Sequence, residues 1–420
     1  MNAIALKAAD NHFPEDWLVM PLSELCSTII DGTHFTPRYV ESGVPFYSVE
    51  NVTADDFENT KFISIVEHEH LTRRCRPERG DILLTRIGSL GDTKLIDWAV
   101  DASIYVSLAL LKLRDHVSRE YVYRYTKSQY FVRDVEKRSL LNAAPKKINM
   151  GEIGEVPVLV PPTIDEQNAI ATALKDIDDL IASLDALIAK KRDIKQAVMQ
   201  QLLTGKTRLP GFATTPMTNS AIGNLPSDWE VRPLGSLGDP VIGLTYRPVD
   251  VRETGTLVLR SSNVQDGVLV FDNNVFVDPE VASRALVAKG DILICVRNGS
   301  RALIGKCAMI SDEGEGMAFG AFMSVFRSPH SDFLFHQFQS NIIQRQIHEH
   351  LGATINQITN ASLRSFQVPF PVSAEERGAI VTILSDMDAE LTGLTVKLSK
   401  LNMVREGMMQ QLLTGRIRLV

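Results

Sequence analysis

Two long stretches of the chain carry apolar residues at alternating steps of four and three. The first runs Ile170, Leu174, Ile177, Ile181, Leu184 and Ile188, continuing through Lys191, Lys195 and Val198 to Leu202. The second runs Ile380, Leu384, Met387, Leu391, Leu394, Leu398 and Leu401, then Arg405, Met408 and Leu412. Such spacing puts one narrow apolar stripe on each helix, the pattern of a coiled-coil seam. At about 1.5 Å per residue each stripe is a rod of roughly 50 Å, longer than a small domain is wide. Neither can bury its stripe on one compact domain, so the two are expected to bury each other. The loose Pro/Gly/Thr/Ser segment from Thr207 to Ser227 lets the chain return, and the pairing is therefore antiparallel.

The residues before each rod follow a different period. Gly80 to Leu84 and Gly290 to Ile294 read as a turn feeding a short buried strand, and Ile153, Val156, Val158 and Val160 alternate like a last strand. After Pro162, and after Pro371, the pattern changes to helix. Each half of the chain is thus a mixed α/β (α+β) domain followed by a long helix.

The two halves are copies. Pro14-Glu15-Asp16-Trp17 returns as Pro226-Ser227-Asp228-Trp229, Pro21-Leu22 as Pro233-Leu234, and Gly80-Asp81-Ile82-Leu83 as Gly290-Asp291-Ile292-Leu293. Asp165-Glu166-Gln167-Asn168-Ala169-Ile170 returns as Glu375-Glu376-Arg377-Gly378-Ala379-Ile380, and Gln200-Gln201-Leu202-Leu203-Thr204-Gly205 as Gln410-Gln411-Leu412-Leu413-Thr414-Gly415. So many matches in one register define a tandem duplication, with residues 17–209 and 229–419 as its units. Residues 23–75 and 235–285 have diverged while the helical ends agree closely, which implies a common framework carrying different surfaces.

With 44% hydrophobic and 23% charged residues in 420, the chain has the composition of packed globular domains rather than of a disordered polymer. No apolar run reaches membrane-spanning length, and Met1 to Asp16 lacks a basic-then-apolar signal, so a cytoplasmic protein with no membrane partner is expected. The four cysteines, Cys26, Cys75, Cys295 and Cys307, show neither disulfide nor zinc spacing. A net charge of −7 argues against coating nucleic acid by charge alone.

No catalytic or metal set emerges. Gly299 to Cys307 resembles a phosphate-binding loop, but has one residue too many between its glycines and Cys307 where Ser or Thr should hold magnesium. Gly314 and Gly316 lie in an acidic turn. His68-Glu69-His70 and His348-Glu349-His350 lack further ligands at metal-site spacing and read as solvated histidines. Neither a Gly-x-Ser-x-Gly elbow nor a Cys/His nucleophile pair is present.

Reading duplex sequence needs Arg, Asn, Gln, Ser and Thr near base edges, with Lys and Arg on phosphates. Both halves offer these residues on loop-like segments. The first has Thr33, His34, Thr36 and Arg38 in a turn-rich stretch, Tyr47, Ser48 and Asn51 in a second, and Arg86 and Ser89 directly after the buried strand. The second has Thr245, Tyr246 and Arg247, then Arg260, Ser261 and Asn263, then Arg297, Asn298, Ser300 and Arg301. Residues 112–147 hold ten Lys or Arg against four Asp or Glu, interleaved with Tyr121, Tyr123, Tyr125, Tyr130 and Phe131 and ending in Lys146 and Lys147. That excess of one sign makes phosphate contact a candidate role.

Taken together, the sequence resembles the specificity subunits of type I restriction-modification systems. The resemblance spans essentially the whole chain. It rests on two copies of a globular domain, an entry such as Pro161-Pro162-Thr163-Ile164-Asp165-Glu166-Gln167, and a long helix ending in Gln-Gln-Leu-Leu-Thr-Gly. Asp31-Gly32-Thr33-His34 and Phe319-Gly320-Ala321-Phe322 also look like segments of that family's target-recognition domains. The second helix entry departs from the pattern at Val372 and Arg377.

The resemblance implies target-recognition domains at 1–162 and 229–372, spacer helices at 163–206 and 373–420, and a linker at 207–228. Each recognition domain would read one half of a split double-stranded DNA site, with the helices setting the spacing. Two methyltransferase subunits, using S-adenosylmethionine to methylate adenine, and ATP- and Mg-dependent restriction subunits would dock on it. This chain itself would bind no cofactor and catalyse nothing. The alternative is a coiled-coil scaffold whose two domains bind proteins and read no DNA.

Overall fold

The computed structural model describes residues 13–140, 142–212, 215–351 and 356–420. Residues 1–12, 213–214 and 352–355, which belong to the expected first domain, linker and second domain, lie outside the described residues, as does residue 141 of the basic stretch. The chain forms two compact units, one of Met1–Asp185 with Val396–Val420, the other of Ala186–Thr395. Both long helices, Ile164–Leu202 and Ala374–Leu412, contribute a segment to each unit.

In the first unit an antiparallel sheet runs in the order Cys26–Asp31, Leu108–Leu113, Ile82–Thr85, Thr93–Leu95. A second sheet runs Tyr39–Val40, Lys61–Ile63, Val44–Tyr47, Ser103–Ile104, its last pair parallel. The other unit repeats both. Its first sheet is Asp239–Ile242, Met323–Arg327, Ile292–Cys295, Cys307–Met309, and its second is Val251–Arg252, Phe276–Val277, Thr256–Leu259, Ala318–Phe319, again with a parallel last pair. The topology is a duplication as the sequence is.

The run Ile82–Thr85 is apolar without alternation because both of its faces are covered. Ile82 and Leu84 pack into a core with Trp17, Tyr121 and Ile170, whereas Leu83 faces a second core with Ile104, Leu108 and Leu110. Ile292 and Ile294 likewise face Trp229 and Ile380, while Leu293 and Cys295 face Val258 and Phe319. Successive strand residues point to opposite faces, so one strand serves two cores. The expected last strand is shorter than its alternation suggested. Pro157–Val160 pairs with Leu18–Pro21, but Ile153 lies in the short helix Met150–Gly154.

Each long helix begins at a hydroxyl cap. Thr163 Oγ1 accepts from Glu166 N at 3.3 Å and Ser373 Oγ from Glu376 N at 3.1 Å, with two acidic residues in each first turn where the helix dipole favours them. Each ends at a glycine of positive φ, Gly205 at +66° and Gly415 at +71°. A Cβ there would stand 2.5 Å from Pro226 Cγ and from Pro14 Cγ respectively. The repeated Leu-Leu-Thr-Gly and Pro-x-Asp-Trp motifs are therefore two sides of one contact, made once in each unit.

The seam is antiparallel within each unit. In the first, Ile170 and Leu174 share a core with Met409 and Leu412, and Asp178 pairs with Arg405. In the other, Met199 and Leu202 share a core with Ile380 and Leu384, and Lys195 pairs with Asp388. Ile177 and Leu184 are also buried, whereas Ile181, Met387, Leu391 and Leu394 are half-buried. Each fully buried Leu or Ile contributes about 1.5–3 kcal/mol, so the ends of the seam hold it most strongly.

The departure at Arg377 is absorbed locally. Gln167 Nε2 donates to Pro161 O at 3.1 Å; Arg377 Nη1 donates to the matching Pro371 O at 2.6 Å and lies over the Phe370 ring.

Candidate nucleic-acid interface

The segments singled out in the first unit converge at one end of its sheets, stitched together by backbone bonds. Thr33 bridges Tyr105, Val106 N donates to Thr33 O at 2.9 Å, Arg86 N to Ser107 O at 2.8 Å, and Gly88 N to Lys146 O at 2.9 Å. Lys147 bridges Ile87. The same stitching recurs in the other unit. Leu244 N donates to Phe319 O at 2.7 Å, Arg297 N to Phe322 O at 3.1 Å, and Arg297 bridges Gln357. Gly32 and Gly243 sit where these strands approach most closely. A Cβ on either would be about 2 Å from a carbonyl oxygen, that of Ile104 or Gly320, so only glycine fits.

On these frames the candidate residues separate into two groups. His34, Thr36, Arg38, Ser89, Lys146 and Lys147 are exposed in the first unit, as are Thr245, Arg247, Arg297, Ser300 and Arg301 in the other. His34 Nε2 lies 2.8 Å from Asp31 Oδ2, and Thr36 Oγ1 3.5 Å from the Tyr105 hydroxyl. Arg247 pairs with Asp250 at 3.2 Å, and Arg297 lies over the exposed Phe322 ring, 5.0 Å from its centroid. Arg301 donates to the carbonyls of His348 and Leu351. Asn298 Nδ2 donates to Ser261 Oγ at 3.0 Å, tying two of the expected segments together.

The second group is used by the fold. Asn51 Oδ1 accepts from Ser48 N at 2.9 Å and its Nδ2 donates to Asp56 O at 3.0 Å, closing the cap of the helix Val49–Ala54. Asn263 repeats this, with Oδ1 on Arg260 N at 3.0 Å and Nδ2 on Val270 O at 3.0 Å. Both asparagines are buried, and their bonding edges are turned inward. Arg86 is buried too: Nη1 reaches Asp31 Oδ2 and Val106 O, each at 3.0 Å, and Nε reaches Ile148 O at 3.3 Å. As the protein stands, these three side chains are framework, which corrects the expectation that they face base edges. Tyr47 is buried against Phe57, Thr33 is buried, and Tyr246 is half-buried. Arg260 Nη2 donates to Asn273 O at 2.8 Å.

The basic stretch divides in the same way. Tyr121, Tyr125 and Phe131 are core, and Arg124 pairs with Asp178 of the first long helix. Arg119, Lys127, Arg133, Lys137, Lys146 and Lys147 keep exposed positions. His68 departs from the solvated reading. It is buried on the helix Ile65–Thr72, with Nδ1 3.0 Å from Ser103 Oγ and Nε2 3.1 Å from Asp101 Oδ1.

Asp31 organises the first unit's surface. Burial alone would raise its pKa, but the hydrogen bond from Arg74 and the charges of His34, Arg86 and Arg74 outweigh that, and the carboxyl is held below its ordinary value. Sequence reasoning passed over Arg74, Tyr105 and Gln357 and named Phe322 only as part of a family-like segment; all four sit among these segments. The signal for Gln357 was register: it bridges Arg297 as Lys147 of the first copy bridges Ile87.

Two copies of one α+β domain, each presenting polar strand-end loops and joined to paired long helices, define a two-domain recognition scaffold. The description "type I restriction modification DNA specificity domain" fits residues 14–190 and again 226–401, and the chain belongs to that family. It is 24% identical over 438 residues to the putative type I restriction enzyme MjaX specificity subunit of Methanocaldococcus jannaschii, covering 98% of this chain and 96% of that one. The MjaVIII specificity subunit of the same organism is 26% identical over 422 residues, covering 96% and 94%. The type I restriction-modification S subunit of M. genitalium shares the fold, with a TM-score of 0.59 at 15% identity over 96% of this chain and 97% of its own.

Proposed function

We propose that this chain is the sequence-reading subunit of a type I restriction-modification enzyme, each unit reading one half of a bipartite duplex target. One observation carries this reading: within a family defined by DNA specificity, the framework is duplicated position for position while the strand-end loops differ. Arg86 is buried against Asp31 in one copy; the matching position of the other holds the buried Val296, and Arg297, one residue on, lies exposed over Phe322. Different loops on one frame are what two different half-sites require. The exposed Lys146 and Lys147 supply phosphate contact in the first unit; the corresponding Asn356 and Gln357 carry no charge, so the second half-site is held less by charge.

In this reading the chain is non-catalytic. Two methyltransferase subunits bring S-adenosylmethionine, restriction subunits bring ATP and Mg chemistry, and this chain binds no cofactor. Recognition domains at 1–162 and 229–372 and spacer helices at 163–206 and 373–420 follow from the same reading. No helix among the described residues is long and apolar enough to cross a membrane, and a cytoplasmic site of action fits an enzyme that acts on chromosomal DNA. The experiment is co-expression with type I methyltransferase subunits, followed by mapping of methylated adenines. A single bipartite motif is expected. A protein-binding scaffold would produce none.

A further inference from the structure

We propose that Arg74, held in place by the Asp31 carboxylate, reads a guanine edge in the first half of the target. The proposal rests on the DNA-reading function above and names a specificity residue within it. Asp31 holds two arginines, and their exposure differs decisively: the Arg86 side chain is 9% exposed, that of Arg74 53%. The buried one braces the strand ends. The exposed one stands at the root of the loop that carries His34, Thr36 and Arg38.

The geometry of Arg74 is fixed by three bonds. Nη1 donates to Asp31 O at 2.9 Å and to Gly32 O at 3.0 Å, and Nη2 donates to Asp31 Oδ1 at 2.6 Å. A guanidinium has five donors in a rigid fork, so Nε–H and one Nη2 hydrogen remain for a ligand. An arginine immobilised before binding loses little side-chain entropy on contact, and a paired donor set matches the O6 and N7 acceptors of guanine. Beside it lies a cleft of about 370 Å³ lined by Thr33, Phe35, His70, Leu71 and Arg74. Asp31 acts as a positioning residue.

The second copy shows what the arrangement adds. Ile242 stands where the first has Asp31 and the buried Val296 where it has Arg86, so neither the carboxylate nor the braced arginine recurs, and the exposed Arg297 lies one residue on.

The test is the methylation motif of the complex with its methyltransferase subunits, for the wild type, Arg74→Lys, Arg74→Gln and Asp31→Asn. Lysine keeps the charge and loses the fork. With a bipartite wild-type motif in hand, both Arg74 variants are expected to relax one guanine position of the first half by roughly 5- to 150-fold in discrimination, leaving the second half intact. Asp31→Asn is expected to relax the same position more weakly. A motif unchanged in both Arg74 variants, or methylation lowered evenly at all sites with a salt dependence of binding reduced by about one ion, overturns the proposal and makes Arg74 a phosphate clamp. Absence of any motif from the wild type overturns the function on which it rests.

Discussion

Arg405 Nε lies 2.6 Å from Asp178 Oδ1, an ion pair that joins the two long helices within the first unit. Lys195 and Asp388 make the matching contact in the other unit with the charges exchanged between helices. Lys195 and Arg405 are positions at which the apolar stripes are interrupted. A polar pair in an apolar seam fixes register, because any slip leaves a charge without its partner. The partners beyond the pair differ. Asp178 also accepts from Arg124, whereas Asp388 faces His336, 3.9 Å away.

That difference predicts unequal costs. Lys195→Ala removes the only cation bonded to Asp388 among the described residues and also a bond to Gln339, so a loss of about 1–3 kcal/mol is expected. Arg405→Ala leaves Asp178 with Arg124, and the loss should be nearer 0.5–1 kcal/mol. Denaturant unfolding of the two variants gives the ranking directly. An equal or larger loss for Arg405→Ala contradicts it.

His336 makes stability depend on pH. Burial, helped by the positive charge of Lys195, pushes its pKa from the ordinary 6.5 down to about 3. Asp388 Oδ2 lies 3.9 Å from Nδ1 and makes no hydrogen bond with it, and Ser385 Oγ lies 3.4 Å from Nε2. The folded value lies below the unfolded one, so the unfolded chain binds the extra proton. Stability from this group is complete above pH 6.5 and is lost as pH falls toward 3, at up to about 1.4 kcal/mol per pH unit. His336→Gln should flatten that slope between pH 6 and 4. Parallel curves for wild type and variant would show that His336 does not carry it.

Asn263 and Arg297 should separate framework from surface. Asn263→Ala breaks two backbone bonds in a buried turn and is expected to cost about 1–3 kcal/mol while leaving the methylation motif unchanged. Arg297→Ala removes an exposed side chain, so it should leave the melting temperature nearly unchanged and relax the second half of the motif. The reverse assignment of the two effects contradicts the placement of these residues.

The framework was legible in the sequence for physical reasons. The stripe from Ile170 to Leu202 needs a helix, and the unbroken run at Ile82 needs a strand covered on both faces; each period determines its element. The site was less legible because its partners are distant in the chain. Asp31 and Arg86 are 55 positions apart and meet only through sheet pairing, so burial of the arginine leaves no local mark. Asn51 did leave one, lying three residues after Ser48 as a cap requires, yet that spacing is equally compatible with a free polar loop. Arg74 sits in an Arg-rich turn where composition does not single it out.

The most direct test of the account is an exchange of residues 17–150 for the corresponding domain of a relative with a known motif, with adenine methylation mapped in the assembled complex. If each unit reads its own half of the target, the first half of the motif changes to the donor's while the second half stays as it was. Changes in both halves, or in neither, would contradict the claim that the duplicated units read DNA independently.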